Sequence, residues 1–214
     1  MNATASKVDD PFMSTLTNSL PLTIPEGLMR AVTAAYAVPP RAYHSFSHVQ
    51  EVLKHFQTVP SFQHPREVYL AVLFHDAVYL AGKGDNEVRS ADLAVEAIAT
   101  FLPRESLDSG RVRKLIELTA KHGKLKRDEV DEDTRHFLDC DMAILGAKAE
   151  QFDAYDAAIA DEYREVPKLI YRFNRNRFLK HLLEVDRIFL SDLFHVRFDA
   201  AARANLRRTL GRAD

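Results

Sequence analysis

The sequence predicts an all-α fold, and three observations carry that expectation. From about residue 43 onward, apolar residues recur at three-to-four spacing almost everywhere, the period of an amphipathic helix. No segment sustains the period-2 alternation, rich in β-branched residues, that a half-buried strand requires. Proline and glycine stand where helices start and stop: Pro25 suits a first helical turn, Pro39-Pro40 breaks that helix, and Gly123 and Gly146 occupy C-cap positions.

Taken in order, residues 1–20 read as a loose N-terminal arm or a short helix, because chain ends are often poorly ordered. Residues 21–214 read as one helical domain, with no repeat, low-complexity tract or composition shift to divide them. The first helix is expected from Pro25 to about Ala37. Further helices are expected over roughly 43–58, 66–81, 86–102, 105–122, 131–146, 148–165, 167–187 and 198–211, with Gly82 and Gly84 flanking the loop after the second long helix.

Charge and composition narrow the function classes. The 214 residues carry a net charge of -2 with no basic block, which argues against a nucleic-acid duplex as partner and leaves room for a small phosphorylated substrate. The single cysteine, Cys140, permits no intramolecular disulfide and suits a reducing compartment. Lys7, Asp9 and Asp10 interrupt any signal-peptide pattern, and no apolar stretch is long enough to span a bilayer. The expectation is a soluble cytoplasmic protein, free of membrane, as a monomer or homodimer.

Three segments carry chemistry. In Tyr43-His44-Ser45-Phe46-Ser47-His48 the histidines are four apart and share a helix face, with His48 beside the stripe formed by Val49, Val52, Leu53 and Phe56. Such a pair alone is most often packing. The segment Val68–Leu80 is apolar nearly all round, so it should be buried, and His75-Asp76 sits in its middle. A buried carboxylate costs several kcal/mol unless it is paired or bound to a cation. It therefore either pairs with a cation or, together with His75, ligates a metal. In Phe137–Gly146, Asp139 and Asp141 point about 200° apart on a helix. Asp141 shares the stripe of Phe137, Leu138, Ile144 and Leu145, whereas Asp139 lies with Arg135 and His136 and is placed to pair with Arg135. Asp141 is thus the expected ligand, and Asp139 the reserve. Two imidazoles and two carboxylates suit one divalent ion of the Mn, Fe, Co, Ni, Zn or Mg kind, with positions left open for water and substrate.

The order His…His-Asp…Asp resembles the HD superfamily of metal-dependent phosphohydrolases. Tyr43–Val52 is similar to the signature of the cyclic-nucleotide phosphodiesterases of that fold. The segments YHSFSH, FHDAVY, DNEVRSA, LTAKH, FLDCDMAILG, IADEYREV, NRNRFL and ARANL resemble bacterial proteins described only as HD-type phosphohydrolases, over roughly residues 40–210. The resemblance implies an HD-domain helical bundle with His48, His75, Asp76 and Asp141 as ligands, and puts His44 in the place of the general acid. Ser45 replaces the usual asparagine, and Tyr79 stands near where the phosphodiesterases place a second metal histidine. Tyr79 and Arg175 are expected at the substrate, Arg175 because the family has an arginine there able to grip phosphate, the alternative for Arg175 being a solvated face shared with Arg172, Arg177 and Lys180. His122 ends a helix, where the dipole alone favours it, yet the family pattern gives it a catalytic place. Glu87 is either a base or second-ion ligand, or simply an acid in a first helical turn. The expected activity is hydrolysis of a phosphate ester of a small molecule, a nucleotide being favoured. The alternatives are an HD-fold nucleotide-binding protein without turnover and, last, a diiron oxygenase.

Overall fold

The computed structural model describes residues 20–38 and 41–211. The N-terminal arm, apart from Leu20, and the Pro39-Pro40 break fall outside the described residues. Among the described residues there are nine α-helices and no strand: α1 (Glu26–Tyr36), α2 (Phe46–Phe56), α3 (Pro65–Phe74), α4 (Asn86–Phe101), α5 (Ser109–Thr119), α6 (Glu132–Met142), α7 (Ala149–Glu162), α8 (Lys168–Glu184) and α9 (Asp192–Gly211). Two 3₁₀ turns, Arg127–Glu129 and Ala143–Gly146, precede and follow α6.

The hydrophobic pattern determines the architecture. Every residue of α3 from Val68 to Phe74 is at most 1% exposed, so beyond its first turn this helix has no solvent face and forms the centre of the bundle. Helices α2, α4, α5 and α6 pack around it, each giving one apolar stripe. On α2 that stripe is His48, Val49, Val52, Leu53 and Phe56. The surrounding core includes Phe137, Phe152, Phe189 and Phe194, all under 2% exposed. A fully buried side chain of this size contributes roughly 1.5–3 kcal/mol relative to exposure.

Three expected boundaries are corrected. The helix expected to reach residue 81 ends at Phe74, so His75-Asp76 lies at its C-terminal end and not in its middle. The apolar pattern continues through Leu80, but side chains from elsewhere take the backbone groups. The Tyr36 hydroxyl accepts from the Asp76 N–H, Arg41 donates to the Asp76 and Ala77 carbonyls, and Ser90 and Asn86 bond the backbone of Val78 and Leu80. The helix expected over 131–146 divides, since its last turn tightens to 3₁₀. The last helix starts six residues before the expected 198, at Asp192, where the Ser191 hydroxyl accepts the Phe194 N–H and Asp192 supplies first-turn negative charge.

Candidate metal centre

Three elements bring four side chains to one point. His48 is the third residue of α2, His75 and Asp76 follow the end of α3, and Asp141 is the penultimate residue of α6. One ligand atom from each lies within 4.8 Å of all the others. His48 Nε2 is 3.0 Å from His75 Nε2, 3.0 Å from Asp141 Oδ1 and 3.5 Å from Asp76 Oδ2. His75 Nε2 is 3.1 Å from Asp76 Oδ2 and 3.6 Å from Asp141 Oδ1. Donors at about 2.1 Å from a shared ion sit about 3.0 Å apart on an octahedral edge and about 3.4 Å on a tetrahedral one. The observed spacing covers that range, so these residues fit one divalent ion.

The electrostatics require positive charge at the same point. His75 Nδ1 faces the Val72 carbonyl at 2.9 Å, so that nitrogen carries hydrogen and Nε2 faces the cluster. Burial on its own would lower the His75 pKa, but Asp76 and Asp141 together raise it well above the usual histidine value. Burial likewise works to raise both carboxyls, and the histidines outweigh it: His75, then His44, depresses Asp76, while His75, His122 and His48 depress Asp141. Two carboxylates whose side chains are only 16% and 14% exposed thus stay ionised and face one site. A divalent cation satisfies both with the histidines neutral. The cluster can hold a metal ion; the nature of that ion is left open by a mixed nitrogen and oxygen set.

Around the cluster the structure sorts the remaining residues. Asp139, the reserve ligand, does not pair with Arg135 and does not turn to solvent. It is 1% exposed, and its two oxygens accept the Leu190 and Ser191 N–H groups at 2.7 Å each. Asp139 is therefore the more deeply buried of the two acids, because a loop packs against the opposite side of α6. Burial pushes the Asp139 carboxyl up to about 6 despite the two N–H bonds that draw it down.

His122 lies in the turn after α5, and its Nε2 bonds Asp141 Oδ2 at 2.8 Å, so it grips a ligand directly. His44 Nδ1 bonds Glu162 Oε2 at 2.6 Å, and the His44 ring stacks on Tyr79 with centroids 3.9 Å apart. The other Glu162 oxygen accepts the Tyr43 and His44 N–H groups at 2.8 and 2.9 Å. Glu162 is 2% exposed. Burial works to raise its pKa, and the His44 bond with the two backbone donors brings it below the usual value of 4.5. The sequence alone assigned Glu162 no role, although a signal was there: Phe152, Tyr155, Ile159 and Glu162 fall at three-to-four spacing, a carboxylate on the apolar stripe of α7.

Two expected residues stand apart from the cluster. Glu87 is in the first turn of α4 and is not one of the four residues that converge; its neighbour Asn86 is the one that clamps the preceding loop. Arg175 is neither beside the ligands nor on a solvated face. Its guanidinium is bound by Asp156 at 2.8 Å and packs over Tyr155 and Phe178, lining a separate cavity of about 340 Å³ with Tyr171 and Arg172. Arg41 was not anticipated. It sits in a loop with no pattern to mark it, and it donates to the carbonyls of His44, Asp76 and Ala77, tying the first histidine segment to the His-Asp turn.

His48 and Asp141 open onto a cavity of about 460 Å³, whose lining also includes Tyr43, Glu51, Arg197 and Phe198. Comparison with protein-family models, curated proteins and solved structures finds no match. No helix among the described residues is long and apolar enough to cross a membrane.

Proposed function

We propose that this chain is a metal-dependent phosphohydrolase of the HD type that cleaves a phosphate ester of a small molecule, with nucleotides the first candidates. The observation that carries the reading is the convergence of His48, His75, Asp76 and Asp141, with His48 and Asp141 at the wall of a cavity and the carboxylate-held His44 in the segment just before α2, so that the helix face expected to join His44 and His48 is not formed. A divalent ion held there supplies Lewis acidity, lowering the pKa of water and polarising a phosphoryl oxygen.

The protein's own groups provide the rest. Asp76 and Asp141 give the site its charge, and His122 holds Asp141 in one orientation, as outer partners of ligands do. Glu162 engages His44 at Nδ1, which leaves Nε2 as the nitrogen that exchanges a proton. In hydrolysis, water gives up a proton to solvent as its oxygen bonds phosphorus, the ester P–O bond breaks, and the leaving oxygen takes a proton from His44 Nε2, which is then reprotonated from solvent. Tyr79 restricts the His44 ring by stacking, so its contribution is to orientation. The test is a panel of nucleoside monophosphates, cyclic nucleotides and sugar phosphates with Mn²⁺, Ni²⁺, Co²⁺ or Mg²⁺. Turnover that Asp141→Ala abolishes is expected. A protein fully charged with metal that hydrolyses nothing in the panel overturns the reading.

A further inference from the structure

A second, larger cavity, about 850 Å³, lies between α8 and the turn after α5. Its wall includes His122, the residue that bonds Asp141, so one imidazole separates this groove from the metal ligands. Three cations line it, Lys124 from the turn and Arg177 and Lys180 from one face of α8, against a single carboxylate, Glu184. Among the described residues none of these three cations has a carboxylate within ion-pair distance. Several other arginines are committed: Arg175 to Asp156, Arg208 to Asp153, Arg203 to Asp199 and Arg113 to Asp92. The walls are held in place, since the Gly123 carbonyl accepts from His181 Nε2 of α8 at 2.8 Å. Gly123 itself has a φ of +73°, and a Cβ there would meet Leu182 Cδ2 at 2.6 Å, so the turn approaches the helix as closely as a glycine allows. The cavity on the other side of the ligands carries one arginine, Arg197, against the carboxylates Glu51 and Asp141, beside Val52, Ile144 and Phe198.

We propose that the groove binds a second phosphate of the substrate, so that the chain acts on small molecules bearing at least two phosphate groups, one at the metal and one at Lys124, Arg177 and Lys180. This rests on the phosphohydrolase reading for the chemistry, though not for the binding. Uncompensated cations around a cleft attract a polyanion and form charge-assisted bonds to phosphate oxygens. The cavity on the other side, with one arginine against two carboxylates, has no excess of cations and takes the remainder of the molecule.

A matched pair of probes separates the groove from the metal: adenosine 3′,5′-bisphosphate and adenosine 5′-monophosphate, titrated calorimetrically into metal-loaded protein. The wild type should bind the bisphosphate about tenfold or more tightly than the monophosphate, with a preference that weakens as salt rises. Lys124→Gln/Arg177→Gln/Lys180→Gln changes only exposed side chains. It should erase the preference while leaving monophosphate affinity and metal content unchanged. Equal affinities in the wild type, or a preference that survives in the variant, overturns the proposal. A preference lost in the variant, in a protein that hydrolyses no ester, retires the phosphohydrolase reading and leaves the groove standing as a bisphosphate site.

Discussion

Asp139 and Asp141 stand two residues apart on α6, and their surroundings give them opposite work. Asp139 is saturated by two backbone N–H groups, whereas Asp141 faces His48, His75 and His122. Asp139→Asn turns one accepting oxygen into a donor opposite an N–H, so it should cost about 1–3 kcal/mol in denaturant unfolding and leave metal content normal. Asp141→Asn should do the reverse, with elemental analysis reading the loss of metal. The opposite pair of results would exchange their roles. His44→Ala should lower kcat by about 10²–10⁴-fold with metal retained, and a nitrophenyl ester, whose leaving group needs little protonation, should recover much of the loss. Loss of metal in that variant would make His44 a ligand instead. Glu162 carries a pH signature. Its folded pKa lies below the usual 4.5, so its contribution to stability is fully present above that value and is lost as pH falls through the lower folded one. Glu162→Gln should flatten the acid limb of the stability curve, and an unchanged limb would mean the carboxylate is no better held in the folded state than in the unfolded one.

At the scale of elements, the turn that carries His75 and Asp76 is shaped from outside. Arg41, Tyr36, Ser90 and Asn86 each capture a backbone group that an α-helix would have used internally. Arg41→Ala should therefore release two segments at once. We expect a stability loss of about 1.5–3 kcal/mol, from lost charged hydrogen bonds. Metal affinity should fall about tenfold or more, as for other groups that orient ligands. Unaltered affinity by metal titration would show that the turn keeps its shape without Arg41. The same turn marks the limit of what the sequence made legible. Helical period, proline and glycine punctuation and apolar stripes were enough for nearly every helix, and helical phase was enough to choose Asp141, because those are local properties of the chain. The end of α3 was hidden because Ala77, Val78 and Leu80 prolong an apolar pattern that only distant side chains interrupt. Arg175 was misread because its partner Asp156 lies on another helix, and Arg41 left no trace because a loop cation has no periodicity.

For the molecule as a whole, the metal centre is a junction of α2, the end of α3 and α6, so an ion bound there favours the folded state by its free energy of binding. At a free metal concentration 100 times Kd this amounts to about 2.7 kcal/mol. For a domain of this size each kcal/mol moves Tm by about 2–4 °C, so chelation should lower the melting temperature by about 5–10 °C. A melting curve indifferent to chelator and to added metal would show that the native protein holds no ion at this junction. The same arrangement has a consequence for how the protein is made. Nearly half the chain separates His48 from Asp141, and Glu162, which fixes His44, comes later still. On the ribosome α2 and α3 emerge long before α6, bearing two imidazoles and one carboxylate on or beside the most apolar part of the sequence, with Asp141 not yet synthesised. The ion cannot act as an early template: a complete seat for it exists only after α6 has left the exit tunnel, and until then the apolar run Val68–Phe74 of α3 depends on α4 and α5, the next helices made, to shield it from aggregation.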